Sequence, residues 1–82
     1  MSYQEREISR ADLEKHVRVL DSDEGIRIEN GEEFTFVNRT SNRYCIDVTL
    51  DKHDTFYYIS DVEEALGFLK KKLSPTSRIF LY

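Results

Sequence analysis

Two neighbouring runs decide the fold: Arg43-Tyr44-Cys45-Ile46-Asp47-Val48-Thr49-Leu50 and Thr55-Phe56-Tyr57-Tyr58-Ile59, separated by Asp51-Lys52-His53-Asp54. In the first, Tyr44, Ile46, Val48 and Leu50 alternate with Arg43, Cys45, Asp47 and Thr49. Successive strand side chains point to opposite sheet faces, so this is the signature of a half-buried strand. The second run is made of β-branched and aromatic residues, which suit a pleated surface. A four-residue loop over Asp51 to Asp54 predicts a hairpin pairing Leu50 with Thr55 and Val48 with Tyr57. Tyr57 and Ile59 then join the core face. Phe56 and Tyr58 fall on the other face, beside Arg43, Asp47 and Thr49. A three-residue loop would exchange the two sets.

Working toward the N-terminus, Phe34-Thr35-Phe36 and Ile26-Arg27-Ile28 also alternate, and the connections at Asn30-Gly31 and Arg39 to Asn42 are short and polar. Four strands joined this way form an antiparallel meander. Asn30-Gly31 as a two-residue turn would put Ile26 and Ile28 on the face opposite Phe34 and Phe36. The hydrophobic pattern favours a three-residue loop or bulge that pairs Ile28 with Phe34.

Helices flank the meander. Leu13, Val17 and Leu20 form an apolar stripe after Ser9, with Asp12 three residues on, as in a capping box, and Ile8 and Leu13 placed as a hydrophobic staple. This predicts a helix from Arg10 to Leu20. A second helix follows Ser60, with Glu63 completing a capping box. Its stripe is Val62, Leu66, Leu69 and Leu73, widened by Ala65 and Phe68, and Ser74-Pro75 ends it. Arg78 to Tyr82 reads as a fifth strand, which a crossover would set parallel to a neighbour. Residues 1–7 read as a flexible polar lead and 8–82 as one domain. The expected fold is α+β in the order α-β-β-β-β-α-β: a four-strand antiparallel meander plus a C-terminal strand, with two helices packed on the sheet. The expected core is Leu13, Val17, Leu20, Ile26, Ile28, Phe34, Phe36, Tyr44, Ile46, Val48, Leu66, Leu69, Leu73, Ile79 and Leu81. One helix on each face would bury Phe56 and Tyr58. Both helices on one face would leave that pair exposed as a contact surface.

Composition narrows the function classes. An 82-residue chain is one domain. Charged residues at 34% with one proline and three glycines exclude low-complexity chain, and 12% aromatics supply bulk for a core without disulfides. The lone Cys45 cannot form an internal disulfide and suits a reducing compartment. The polar start does not resemble a signal peptide, and no apolar run approaches the roughly 20 residues that span a bilayer. A cytoplasmic protein is expected. The net charge of -4 disfavours broad nucleic-acid binding, which needs lysine and arginine on phosphates.

No strong chemical motif is present. Asp21, Asp23, Glu29 and Glu32 fall at positions 1, 3, 9 and 12 of a calcium loop, but Gly25 stands at position 5, which needs an oxygen ligand, and Ile26 at position 6, which needs glycine, so this reads as an acidic turn. Cys45, His16 and His53 lack metal-ligand spacing, and Cys45 would pair with Ser60 rather than approach His53. Asn38-Arg39-Thr40 matches a glycosylation acceptor only as a turn. Lys70, Lys71 and Lys72 suit the negative end of the second helix. No catalytic, metal or cofactor site is expected.

The candidate binding residues are Arg43, Asp47, Thr49, Phe56 and Tyr58. They suggest a small non-enzymatic interaction or regulatory module that docks on another protein, or on itself, by its open sheet face or acidic surface. An inhibitor of a basic, nucleic-acid-binding partner is a special case. The alternative is weak binding of single-stranded nucleic acid, with bases stacking on the sheet-face aromatics beside basic residues.

Overall fold

The computed structural model describes residues 5–82. Strand β1 (Arg6–Ile8) leads through a 3₁₀ turn (Arg10–Asp12) into helix α1 (Leu13–Arg18). The meander follows as β2 (Gly25–Asn30), β3 (Glu33–Arg39), β4 (Tyr44–Leu50) and β5 (His53–Ile59). Helix α2 (Val62–Lys71) and β6 (Arg78–Leu81) complete the chain. The fold is α+β, with one six-stranded sheet in the order β1-β6-β2-β3-β4-β5. Every neighbouring pair is antiparallel.

Several expectations are corrected. Arg6 and Glu7, assigned to the loose lead, belong to β1, where the free edge of β6 pairs them with Leu81 and Phe80. β6 is antiparallel to both its neighbours, not parallel to one. The α2 crossover carries the chain over the meander to β2, so β6 runs in the direction of β5 without touching it. The helix caps also differ. Ser9 caps only through its backbone, with its carbonyl accepting from Asp12 N–H at 3.0 Å. At α2 the cap lies one residue later: the Asp61 carboxylate accepts from Glu64 N–H at 3.2 Å, in place of Ser60 and Glu63.

Both disputed hairpins have two-residue loops. Asn30 pairs with Glu33 around Gly31-Glu32, and only Gly31 has a positive φ (63°), the pattern of a type II′ turn. Ile28 therefore faces Thr35 and Ile26 faces Val37, not the expected Ile28–Phe34 pair. Phe34 and Phe36 leave the core, and Val37 and Thr35 enter it. A turn that matches strand twist overrode the larger side chains. Asp51-Lys52, with φ of 54° and 66°, forms the other turn in the type I′ pattern. Leu50 pairs with His53, Val48 with Thr55 and Ile46 with Tyr57. This slides the expected register by two residues, so every face assignment survives.

One sheet face carries Ile26, Ile28, Val37, Tyr44, Ile46, Val48, Ile59 and Ile79, and the helices bury Leu13, Val17, Ala65, Leu66 and Leu69 against it. Leu73 and Leu81 are only half-buried at its margin. Tyr44 ties α1 down, its hydroxyl donating to the Val17 carbonyl at 3.0 Å. On α2, the Phe68 ring lies 4.7 Å from that of Tyr57. Tyr44 and Tyr57 share a face, so both helices lie on the same side, linked by Arg18 to Glu63 at 2.6 Å.

Candidate binding face

Among the described residues, the opposite face carries no helix. The strand registers set its side chains in rows across the sheet. The central row runs Glu7, Phe80, Arg27, Phe36, Asp47, Phe56. One flanking row runs Arg78, Glu29, Phe34, Thr49, Asp54, and the other ends Asn38, Cys45, Tyr58. All five residues singled out from the sequence, Arg43, Asp47, Thr49, Phe56 and Tyr58, lie here. Phe56 is 53% exposed and Tyr58 57% exposed. The sequence reading missed Phe34, Phe36, Arg27 and Phe80. The Asn-Gly turn signal was the one clue, because it gives the phase that puts both phenylalanines on this face.

Arginines stack on these rings. The Phe80 ring lies under both guanidiniums of Arg27 and Arg78, at 4.5 Å and 5.1 Å. Arg43 lies 4.6 Å over Tyr58. Such contacts place a planar cation on the negative ring face. Arg27 also pairs with Glu5 and, at 3.1 Å, with Glu29, and Arg78 pairs with Glu7 at 3.0 Å. The Arg78 hydrogen bond holds the Glu7 carboxyl below its ordinary range. Arg43 forms no ion pair among the described residues.

Asp47 sits between Phe36 and Phe56 in the central row. Burial pushes its carboxyl above the ordinary aspartate range, and the nearby Asp54 charge adds to this. Among the described residues, its Oδ1 is buried without a hydrogen-bond partner, as is Nε of Arg27. Thr49 donates to Asp54 Oδ1 at 2.6 Å. Glu7, Glu29, Asp47 and Asp54 outnumber Arg27, Arg43 and Arg78, so the face is not positive.

At one end of the face the backbones of Gly25 and Tyr82 exchange two 2.9 Å hydrogen bonds. A Cβ on Gly25 would run into the Tyr82 ring, so glycine here lets that ring lie against the sheet.

The remaining candidates lie elsewhere. Lys72 is on the helix side, 3.6 Å from Glu33 and over the Phe68 ring. Cys45 pairs with Tyr58, not Ser60, and His53 pairs with Leu50 on the other face, so the two do not meet. Among the described residues no three of His, Cys, Asp and Glu converge on a metal-sized site, and no helix is long and apolar enough to cross a membrane. No protein-family model matches the chain, and no curated protein or solved structure matches it either.

Proposed function

We propose that this chain is a small, non-enzymatic interaction module that docks through its helix-free sheet face on a basic surface of another protein. The observation that carries the reading is the set Phe34, Phe36, Phe56, Tyr58 and Phe80, left without helix cover amid arginines and carboxylates. Apolar patches rimmed by polar groups mark interaction sites, and large aromatics tend to carry the binding energy. Phe56 and Tyr58 are the anchors, with Arg43, Asp47 and Thr49 as their surround. The net charge of -4 and the excess of acids on the face favour a basic partner. A regulatory role fits this, including inhibition of a nucleic-acid-binding protein whose basic surface the carboxylates would occupy. The lone Cys45 suits a cytoplasmic setting.

One observation favours a second reading. Arg43 stacked on Tyr58 is the kind of platform on which single-stranded bases also stack. Against it, the lysine cluster lies on the other side of the sheet.

The test is capture from the native cell with the wild-type chain and with Phe56→Ser combined with Tyr58→Ser. The wild type should retain a basic protein, and the double variant should lose it while melting within a few degrees of wild type. Retention by the double variant would sink the proposal. Binding of a single-stranded oligonucleotide at physiological salt, abolished by the same change, would move the function to the second reading.

A further inference from the structure

The sheet has two edges, and they differ. β1 is three residues long and bears Arg6 and Glu7. β5 is seven residues long, exposed from His53 to Tyr58, and carries Phe56, Tyr57 and Tyr58. Edges are usually blunted by shortness or charge. β1 is blunted in both ways, whereas the middle of β5 is not.

The hydrogen-bond phase of that edge follows from the ladder. Thr40 N–H donates to the Arg43 carbonyl at 2.9 Å. Antiparallel residues alternate between the two neighbouring strands. Arg43, Cys45, Asp47 and Thr49 therefore spend their backbone groups on β3, and Tyr44, Ile46, Val48 and Leu50 spend theirs on β5. The β5 partners of the latter are Ile59, Tyr57, Thr55 and His53. Asp54, Phe56 and Tyr58 thus aim N–H and C=O outward, while their side chains lie on the helix-free face.

We infer that a second copy of this chain pairs along β5, antiparallel, about a two-fold axis at Phe56. In that register Phe56 faces Phe56, and Asp54 faces Tyr58 on both sides of the axis. All three outward-facing residues of each copy find a partner in the same set. Moving the axis by one residue sets Tyr58 against Lys52, or Asp54 against Ser60, and breaks the match. The charges also complement. Arg43, which forms no ion pair among the described residues, lies over Tyr58, and the Asp54 of the second copy arrives opposite that ring. The contact is isologous and closes on itself. It joins the two sheets into one twelve-stranded sheet, from the six strands of each copy, and the two aromatic faces become continuous. This inference uses the backbone of β5 and requires no other protein, so it stands or falls apart from the face-docking reading.

The experiment is sedimentation equilibrium of the purified full chain over the micromolar range, with melting followed alongside. The wild type should reach twice the chain mass. Phe56→Lys sets like charges against each other across the axis, while Asp47 lies opposite it within the chain. It should melt near wild type and weaken association by roughly tenfold or more. Phe56→Glu should also be monomeric, and an equal mixture of the two variants should dimerise again. A second readout does not depend on those variants. In a Cys45→Ser background, Phe56→Cys should form an intermolecular disulfide on mild oxidation, because directly paired Cα atoms lie about 5.5 Å apart. Thr55→Cys should not, since its Cα atoms would lie roughly 8 Å apart in this register. A monomeric wild type would overturn the inference. So would a dimer indifferent to Phe56→Lys, a mixture that stays monomeric, or equal cross-linking at the two positions.

Discussion

Replacing Val37 and Phe36 separately with alanine tests the register that creates the binding face. Val37 is fully buried, with Ile26 and Ile46 opposite it on the neighbouring strands. Its truncation removes two carbons at about 0.8 kcal/mol each. The unfilled space adds to that, for a total of about 2–3 kcal/mol. Phe36 is half-buried on the helix-free face. Truncating a fully buried phenylalanine costs about 3–5 kcal/mol. A half-buried ring whose removal opens onto solvent should lose less than half of that, about 1–2 kcal/mol. In a domain of this size each kcal/mol lowers Tm by about 4–8 °C. Val37→Ala should therefore melt some 10–20 °C below wild type, and Phe36→Ala should melt clearly above Val37→Ala. Urea unfolding followed by circular dichroism gives the free energies, provided m is unchanged. The slipped register, pairing Ile28 with Phe34, reverses the order: Phe36→Ala becomes the severe variant and Val37→Ala falls within about 0.5 kcal/mol of wild type. That result would refute the placement of Phe34 and Phe36 on the open face, and the functional argument with it.

Two further outcomes are expected. Because burial raises the Asp47 pKa, the folded state binds a proton more tightly than the unfolded chain, so this residue's penalty is fully present at neutral pH. It fades as pH falls through the raised value toward the ordinary aspartate range. Asp47→Asn should therefore raise Tm at neutral pH by more than it does in acid, and an equal or opposite difference in calorimetry would refute the assignment. Tyr44→Phe removes a hydroxyl that donates to Val17 and accepts from Arg39 at 3.1 Å. It should cost about 1–2 kcal/mol and speed amide exchange in α1, and a loss no larger than that of the exposed Tyr58→Phe would show that the bond does not hold α1 down.

What the sequence determined alone was local. Alternation over Tyr44 to Leu50, the stripe from Val62 to Leu69 and the short polar connections each depend on residues a few positions apart. They sufficed for the helices, the meander strands and the final strand. The face assignment of Phe56 and Tyr58 depended on a loop length that the sequence does not fix, and it holds because the observed two-residue loop shares its phase with the expected four-residue one. What lay beyond reach needs partners far apart in the chain. β1 carries a single apolar residue, Ile8, and becomes a strand only because β6, some 70 residues later, offers it an edge. The phase of β3 was a contest between two large phenylalanines and a two-residue turn. Burial of large side chains favoured one answer, and the twist match of the turn, with Ile26, Ile28, Val37 and Ile46 closing a fully buried layer, decided the other. The side taken by α1 was undetermined for the same reason. Its stripe of Leu13 and Val17 could cover either face of a sheet. Only the assembled sheet presented the apolar face beside α2 on which that stripe is buried, leaving the aromatic and arginine face to solvent.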